Sequence, residues 1–313
     1  MKTENSLAKN LSAADNKAAL DASCKRLLAN KIILAWILKE CTEEYKNCSV
    51  DDIAEKYIEG TPQIAQTSVH RNEKSGENID GLNTEDSSIT EGTVTYDIRF
   101  GAVVPNTDDK IHLIINIEAQ NDFYPGYPLI KRGIYYCSRM ISSQYETYFT
   151  ESHYENIRKV YSIWICTRPP ESKKNTIMQY SIKETSIIGN APEKEKNYDL
   201  LTAVMICLGD ENGKNYDGII KLLEVLLSSD KKPEEKKSIL QNDFEIKMTK
   251  TLESEVSIMC NISKGVEEQG IEKGQISLIK NLMKNMQWTL EQAMTAAGLT
   301  KEEQEKYSEI LKK

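Results

Sequence analysis

Two carboxylates and an amide carry the chemistry legible in this chain: Asp97 in TVTYDIRF, and Glu118 and Gln120 in IHLIINIEAQ. Residues 93–100 and 111–120 each read as a strand, joined by a short polar loop over 104–110. Strand side chains alternate faces, so Glu118 and Gln120 project to one side while Ala119 points to the other. Acidic groups converging at the ends of adjacent strands suit a hard divalent cation, which prefers oxygen ligands. Phosphodiester hydrolysis is the chemistry such a centre serves. It requires a water deprotonated near neutral pH and stabilised charge on phosphate oxygens, and one or two Mg2+ ions held by carboxylates provide both. Asp97 and Glu118 would hold the metal, helped by the backbone carbonyl of Ala119. Gln120 would orient the attacking water or a phosphate oxygen; being neutral, it cannot offset developing charge. By itself the pattern also describes polar side chains at strand ends.

The elements that must position these groups follow from periodicity and breakers. Residues 24–46 read as one amphipathic helix, with Leu27, Leu28, Ile32, Ala35, Trp36 and Leu38 on its apolar face. A shorter helix is expected over 50–58, with Ser49 or Asp51 near its N-cap. From 61 to 92 the composition shifts to Gly, Asn, Ser, Glu and Asp, which reads as a flexible loop. Beyond the strand pair, a YPGYP turn at 124–128 precedes a helix over 129–143. Strands are expected at 160–167, 176–188 and 198–208, and a helix at 218–227. Past 231 the chain turns charged and helical, with Pro233 in a first-turn position and a run to about 262. Glycines at 265, 270 and 274 then punctuate it before helices at 275–286, 289–297 and 300–312. Thr289 and Thr300 read as N-caps, with Glu303 completing a capping box. The organisation expected is N-terminal helices over 1–60, the loop 61–92, an α/β core over 93–230 and a helical region over 231–313.

At 313 residues, with 39% hydrophobic and 28% charged residues, the composition is that of an ordinary globular chain. The net charge of −8 excludes a protein that coats nucleic acid without specificity. Yet residues 126–174 carry eight basic side chains against four acidic ones, a local +4 directly after the carboxylate strands. That excess fits a phosphate-facing surface, and it also fits a solvated mixed face. No apolar run is long enough to span a bilayer, and MKTENSLAKN has no apolar h-region, so the expectation is a cytoplasmic protein with no membrane association. Seven scattered cysteines without a CxxC read as reduced thiols rather than disulfides or a zinc site.

The stretch TYDIRFGAVV, followed by LIINIEAQNDFYPGYPLIKRGIYYCSRMISSQYETYF, resembles the PD-(D/E)XK nuclease superfamily. Within it, the chain is similar to the branch of recombination-promoting nucleases and transposase-like proteins. The Tyr-Asp-Ile strand, the Ile-Glu-Ala-Gln strand, the Lys-Arg…Tyr-Tyr helix and a QxxxY made by Gln144 and Tyr148 carry the resemblance, which covers roughly 24–230. The tail near 265–275 and the last two helices also resemble that branch. The resemblance implies an α/β restriction-endonuclease-like core, a central mixed sheet flanked by helices, with a C-terminal all-helical appendage. It further implies a DNA endonuclease dependent on Mg2+ or Mn2+, tied to recombination or a mobile element. Asp97 and Glu118 are then metal ligands, and Gln120 stands where most members carry lysine.

Many members also bear a glutamate on the first helix near the metal; Glu40 is the candidate here and Glu43 the next, against a reading of both as solvated helix charges. Lys131, Arg132 and Arg139 are candidate phosphate contacts, against plain surface charge. Gln144 and Tyr148 either reach the site from their helix or fasten its packing. Tyr135 and Tyr136 read as helix packing, and Trp36 and Trp164 as core. His112 and His153 read as ordinary polar residues, and Cys137 and Cys166 as small core hydrophobes. The expected partners are DNA and, through the C-terminal helices, a second copy of the chain. The alternative is a nuclease-fold module with little or no activity that binds DNA or protein through its helical tail, motivated by net acidity, Gln120 and the charged tail.

Overall fold

The computed structural model describes residues 18–64, 85–88, 92–95, 97–105, 110–118 and 123–312, the segments at 85–88, 92–95 and 110–118 as backbone. Helix α1 covers residues 18–28 and α2 covers Lys31–Cys41. The single helix expected over 24–46 is therefore two. Asn30 divides them: its side chain accepts from the Ile32 N–H at 3.1 Å and caps α2, a local bond that competes with helical continuation. Ser49 caps α3, Val50–Asp52, by accepting from the Asp52 N–H, and a π-turn at Ile53–Tyr57 follows.

Among the described residues eight strands follow: β1 Gln63–Ile64, β2 Glu85–Ser88, β3 Gly92–Thr95, β4 Ile98–Val103, β5 Lys110–Glu118, β6 Val160–Cys166, β7 Thr176–Ser181 and β8 Leu201–Cys207. Six of them form one mixed sheet in the order β1-β4-β5-β6-β8-β7. β1, β4 and β5 run antiparallel, β5, β6 and β8 parallel, and β7 closes the edge antiparallel to β8. β2 and β3 make a separate hairpin. The fold is thus α/β with a mixed sheet. The loop expected over 61–92 is corrected at both ends by β1 and β2, while 65–84 lies outside the described residues. The strand expected over 93–100 is also two, and Asp97 sits in the bend just before β4 rather than within a strand.

VYSIWIC and LTAVMIC are buried nearly throughout, as parallel strands covered on both faces must be. Helix α4, Leu129–Ser142, covers one face. Its Leu129, Tyr136, Cys137 and Met140 pack on Val160, Trp164, Cys166, Met205 and Cys207. Gly133 lets it approach: a Cβ there would stand 3.0 Å from Trp164 Nε1. On the other face the Tyr161 hydroxyl donates to Glu44, just beyond α2, at 2.6 Å. Edge strand β7 is mostly exposed and ends at Ser181, short of the 188 expected.

Helix α5 spans Gly218–Leu227 and α6 spans Pro233–Asn242. Lys236 is fully buried and donates to the carbonyls of Leu226 at 2.9 Å and Ser228 at 2.6 Å, fastening α6 to the carbonyl end of α5. This joins α6 to the sheet-bearing unit, Asp21–Val256. The other unit takes in residues 1–20 together with Ser257–Lys313, so its C-terminal part begins at Ser257, not at 231. It contains the rest of α7, Lys250–Met286, with α8, Leu290–Ala296, and α9, Lys301–Lys312. The expected glycine break does not occur: α7 runs through Gly265, Gly270 and Gly274, since an isolated helical glycine costs only ~1 kcal/mol relative to alanine. Ile279, Ala293, Met294, Leu299 and Tyr307 form this unit's core. Thr289 caps α8 in a box with Gln292, and Thr300 and Glu303 exchange the equivalent bonds at the start of α9. No helix of the described residues is long and apolar enough to cross a membrane.

Candidate functional site

The sheet register brings the two carboxylate positions together. The antiparallel ladder ends at Ile98 and Ile115; Asp97 lies in the bend one residue before it and Glu118 closes β5 three residues beyond, so both stand at the same end of the β4–β5 pair. Glu118 pairs in turn with Cys166 and Cys166 with Cys207, so Asp97 and Glu118 lie along the carboxyl ends of the parallel strands. In open α/β sheets that edge is where ligands bind. Ala119 and Gln120 lie outside the described residues.

Sequence reasoning missed the group that sits on Asp97. Lys25 of α1 places its ammonium 2.7 Å from Asp97 Oδ1 and 2.7 Å from Asp21 Oδ2 one helical turn back. Its side chain is 9% exposed and that of Asp97 22%. Burial drags the Lys25 pKa down; the Asp97 charge and the hydrogen bonds to both aspartates outweigh it, so the pKa stands above the ordinary lysine value. Lys25 is therefore a held cation at the rim of the site. A signal for it did exist: Asp21, Lys25 and Leu28 fall at helical spacing beside Cys24, which puts a charged pair at the edge of an apolar stripe.

From the opposite side, α4 starts at this same end of the sheet. Arg132 donates to the Tyr136 hydroxyl from Nε at 2.9 Å and from an NH2 at 2.7 Å, with its guanidinium 5.4 Å from the Trp164 ring centre. Trp164 pairs with Asn116 in the register, so this cluster adjoins the carboxylate positions. Burial raises the Tyr136 pKa, the Arg132 hydrogen bond opposes this, and the Asp97 charge adds to the rise. Lys131, next to Arg132, faces solvent.

Five candidates fall elsewhere. Arg139 is 4% exposed, on the same side of α4 as buried Tyr136 and Met140, so it is not a surface contact for DNA. Gln144 and Tyr148 do not reach the carboxylates. Fully buried Gln144 donates to the Arg158 carbonyl at 2.9 Å and accepts from the Arg158 N–H at 2.8 Å, while the Arg158 guanidinium stacks 4.0 Å from the Tyr148 ring centre. Arg158 precedes Val160, the start of β6, so this QxxxY clamps the far end of the sheet. Glu40 lines a separate cleft of about 340 Å3 with Asn175, Thr176, Asn215, Asp217 and Gly218. Thr176 opens β7, four strands from β4, or about 19 Å at the usual strand spacing. Glu43 is exposed and faces Lys46 at 3.7 Å. His153 pairs with exposed Glu155.

The clamp has a direct test. Gln144→Leu should destabilise the sheet-bearing unit by about 2 kcal/mol, because the Arg158 N–H and carbonyl lose their partner where water reaches them poorly. Divalent-cation affinity should not change. A loss of metal binding without loss of stability would place Gln144 at the carboxylates instead.

Among the described residues no cluster of three or more His, Cys, Asp and Glu side chains stands ready for a metal. The seven cysteines, all among the described residues, form no disulfide. Comparison with family models, with curated proteins and with solved structures finds no match for this chain.

Proposed function

We propose that this chain is a divalent-metal-dependent DNA endonuclease with a restriction-endonuclease-like core, acting in recombination or on a mobile element. The observation that carries this reading is the β4–β5 pairing, which puts Asp97, in the bend before β4, and Glu118, the last residue of β5, at the same end of neighbouring strands, along the carboxyl edge of the parallel strands. The element order also supports it: a helical N-terminus, the Asp97 and Glu118 strands, then α4 crossing to a parallel β6. The donor set suits a hard cation, since both positions bear carboxylates. Asp97 and Glu118 would hold Mg2+ or Mn2+, with the Ala119 carbonyl and Gln120 adjoining. Bound there, the ion supplies Lewis-acid stabilisation of phosphate oxygens and a water deprotonated near neutral pH.

The chain's own residues have distinct tasks around that centre. Arg132, held flat by Tyr136 and Trp164, presents a preorganised guanidinium suited to a phosphate. The amide end of α4 opens on the same edge and favours an anion. Exposed Lys131 adds a point charge for the backbone of DNA.

The test is plasmid DNA with Mg2+ or Mn2+, run beside calorimetric metal titration of wild type and Glu118→Ala. Cleavage with wild type, and a titration lost in Glu118→Ala, are expected. The second reading is a nuclease-fold module without activity that works through its helical tail, by DNA or protein binding or by self-association. The diversion of QxxxY to the Arg158 clamp favours it. Wild type that binds neither metal nor low-salt DNA would decide for it.

A further inference from the structure

We infer that Lys25 is the charged positioning residue of this centre: from α1 it holds the Asp97 carboxylate in place. The inference rests on the endonuclease reading and names a residue the motif strands do not contain. Three observations carry it. Lys25 lies 2.7 Å from Asp97 Oδ1, within direct reach of the carboxylate at the head of β4. Its side chain is 9% exposed, so it is held in place rather than sweeping solvent. It also sits between two carboxylates, Asp97 and Asp21, which divide its charge.

A purely structural lysine needs only to be satisfied. One placed against a metal ligand has a second consequence. A divalent ion arriving at Asp97 meets a like charge already resident there, and like charges a few ångströms apart in a half-buried site repel strongly. Lys25 therefore weakens metal binding while it fixes the carboxylate that orients the ion and the phosphate. Asp21 tempers the first effect by drawing part of the ammonium's charge to itself. Neutralising Lys25 and neutralising Asp21 therefore predict opposite changes in metal affinity.

Calorimetric titration of the full-length chain with Mn2+, paired with initial rates of Mn2+-dependent plasmid cleavage, tests this on Lys25→Gln, Lys25→Arg and Asp21→Asn, each first shown folded by its thermal transition. Lys25→Gln should bind Mn2+ about tenfold more tightly and cleave about 100-fold more slowly at saturating metal, as expected for a misplaced carboxylate. Lys25→Arg should restore most of the rate, and Asp21→Asn should weaken Mn2+ binding a few-fold. If Lys25→Gln does not fold, Asp21→Asn and Lys25→Arg still decide, since a weakened affinity in the first is required. Wild type that binds and cleaves, with Lys25→Gln equal to it in both, overturns this inference and leaves the endonuclease reading standing. Affinity that falls in Lys25→Gln as it does in Asp21→Asn also overturns it, because that is the mark of a merely structural ion pair. Wild type that neither binds Mn2+ nor cleaves overturns both.

Discussion

In Asp97→Asn, metal-dependent DNA cleavage is expected to fall by at least about 100-fold while the protein remains folded. The carboxamide keeps the shape of the carboxylate but loses its charge, and a hard divalent cation binds an amide oxygen more weakly than a carboxylate. Metal stabilisation of a phosphoryl transition state is worth several kcal/mol, and 2.7 kcal/mol of it corresponds to about 100-fold in rate. The fold should survive because the Asn oxygen can still accept from Lys25, and Asp21 remains beside the ammonium at 2.7 Å. The buried lysine is thus not stranded, and the thermal midpoint should move by only a few degrees. Mg2+-dependent plasmid nicking measured beside a thermal melt checks both statements. A rate close to wild type in a folded Asp97→Asn protein would remove Asp97 from the centre.

The largest effect on stability should come from Lys159→Met. Lys159, just before β6, contacts Glu44 at 2.9 Å and Asp199, and its ammonium lies 4.8 Å from the Tyr161 ring centre. Tyr161 donates to the same Glu44 at 2.6 Å. Glu44, Lys159 and Asp199 have side chains only 15%, 14% and 21% exposed. Removing the lysine leaves two poorly solvated carboxylates facing each other, at a cost of about 2–4 kcal/mol. In a unit of this size that is roughly 5–15 °C in the melting midpoint. Burial pulls the Lys159 pKa down, and the Asp199 hydrogen bond with the Glu44 charge and hydrogen bond outweighs it, so the folded pKa is raised above 10.5. Stability from a raised lysine is fully present below the unfolded value and disappears as pH rises through the folded one. The gap between wild type and Lys159→Met should accordingly be constant from pH 7 to about 10 and close above 10.5. Melts at pH 7, 9 and 11 measure it; a gap that does not narrow at all at pH 11 would show that packing, not charge, holds this corner.

Much of the fold was legible because local physics dominates it. The run VYSIWIC can only be a strand buried on both faces, and α4, α5, α8 and α9 follow from periodicity with Thr289 and Thr300 as caps. Misreadings arose where a local bond or a distant partner intervened. Asn30 divides what reads as one helix, through a single side-chain hydrogen bond. Lys236 draws α6 into the sheet-bearing unit by reaching two carbonyls at the end of α5. The polar stretch at 61–92 begins and ends in strands because β4 supplies the partner for β1, and β3 for β2.

For the candidate site, the sequence determined which groups carry charge: Asp97 and Glu118 in neighbouring segments of one strand pair, Gln120 without charge, and Arg132 on the helix that follows. Strand period and short connections are local, so these placements needed no knowledge of the rest of the chain. Only the tertiary structure decided which side chains surround them. It sends Gln144 and Tyr148 to Arg158 at the far end of the sheet, buries Arg139, and gives Glu40 to a cleft it shares with Thr176 of β7. It brings Lys25, 72 positions earlier in the chain, to 2.7 Å from Asp97. Contacts of that kind depend on how helices pack across a sheet, which no single segment's periodicity encodes.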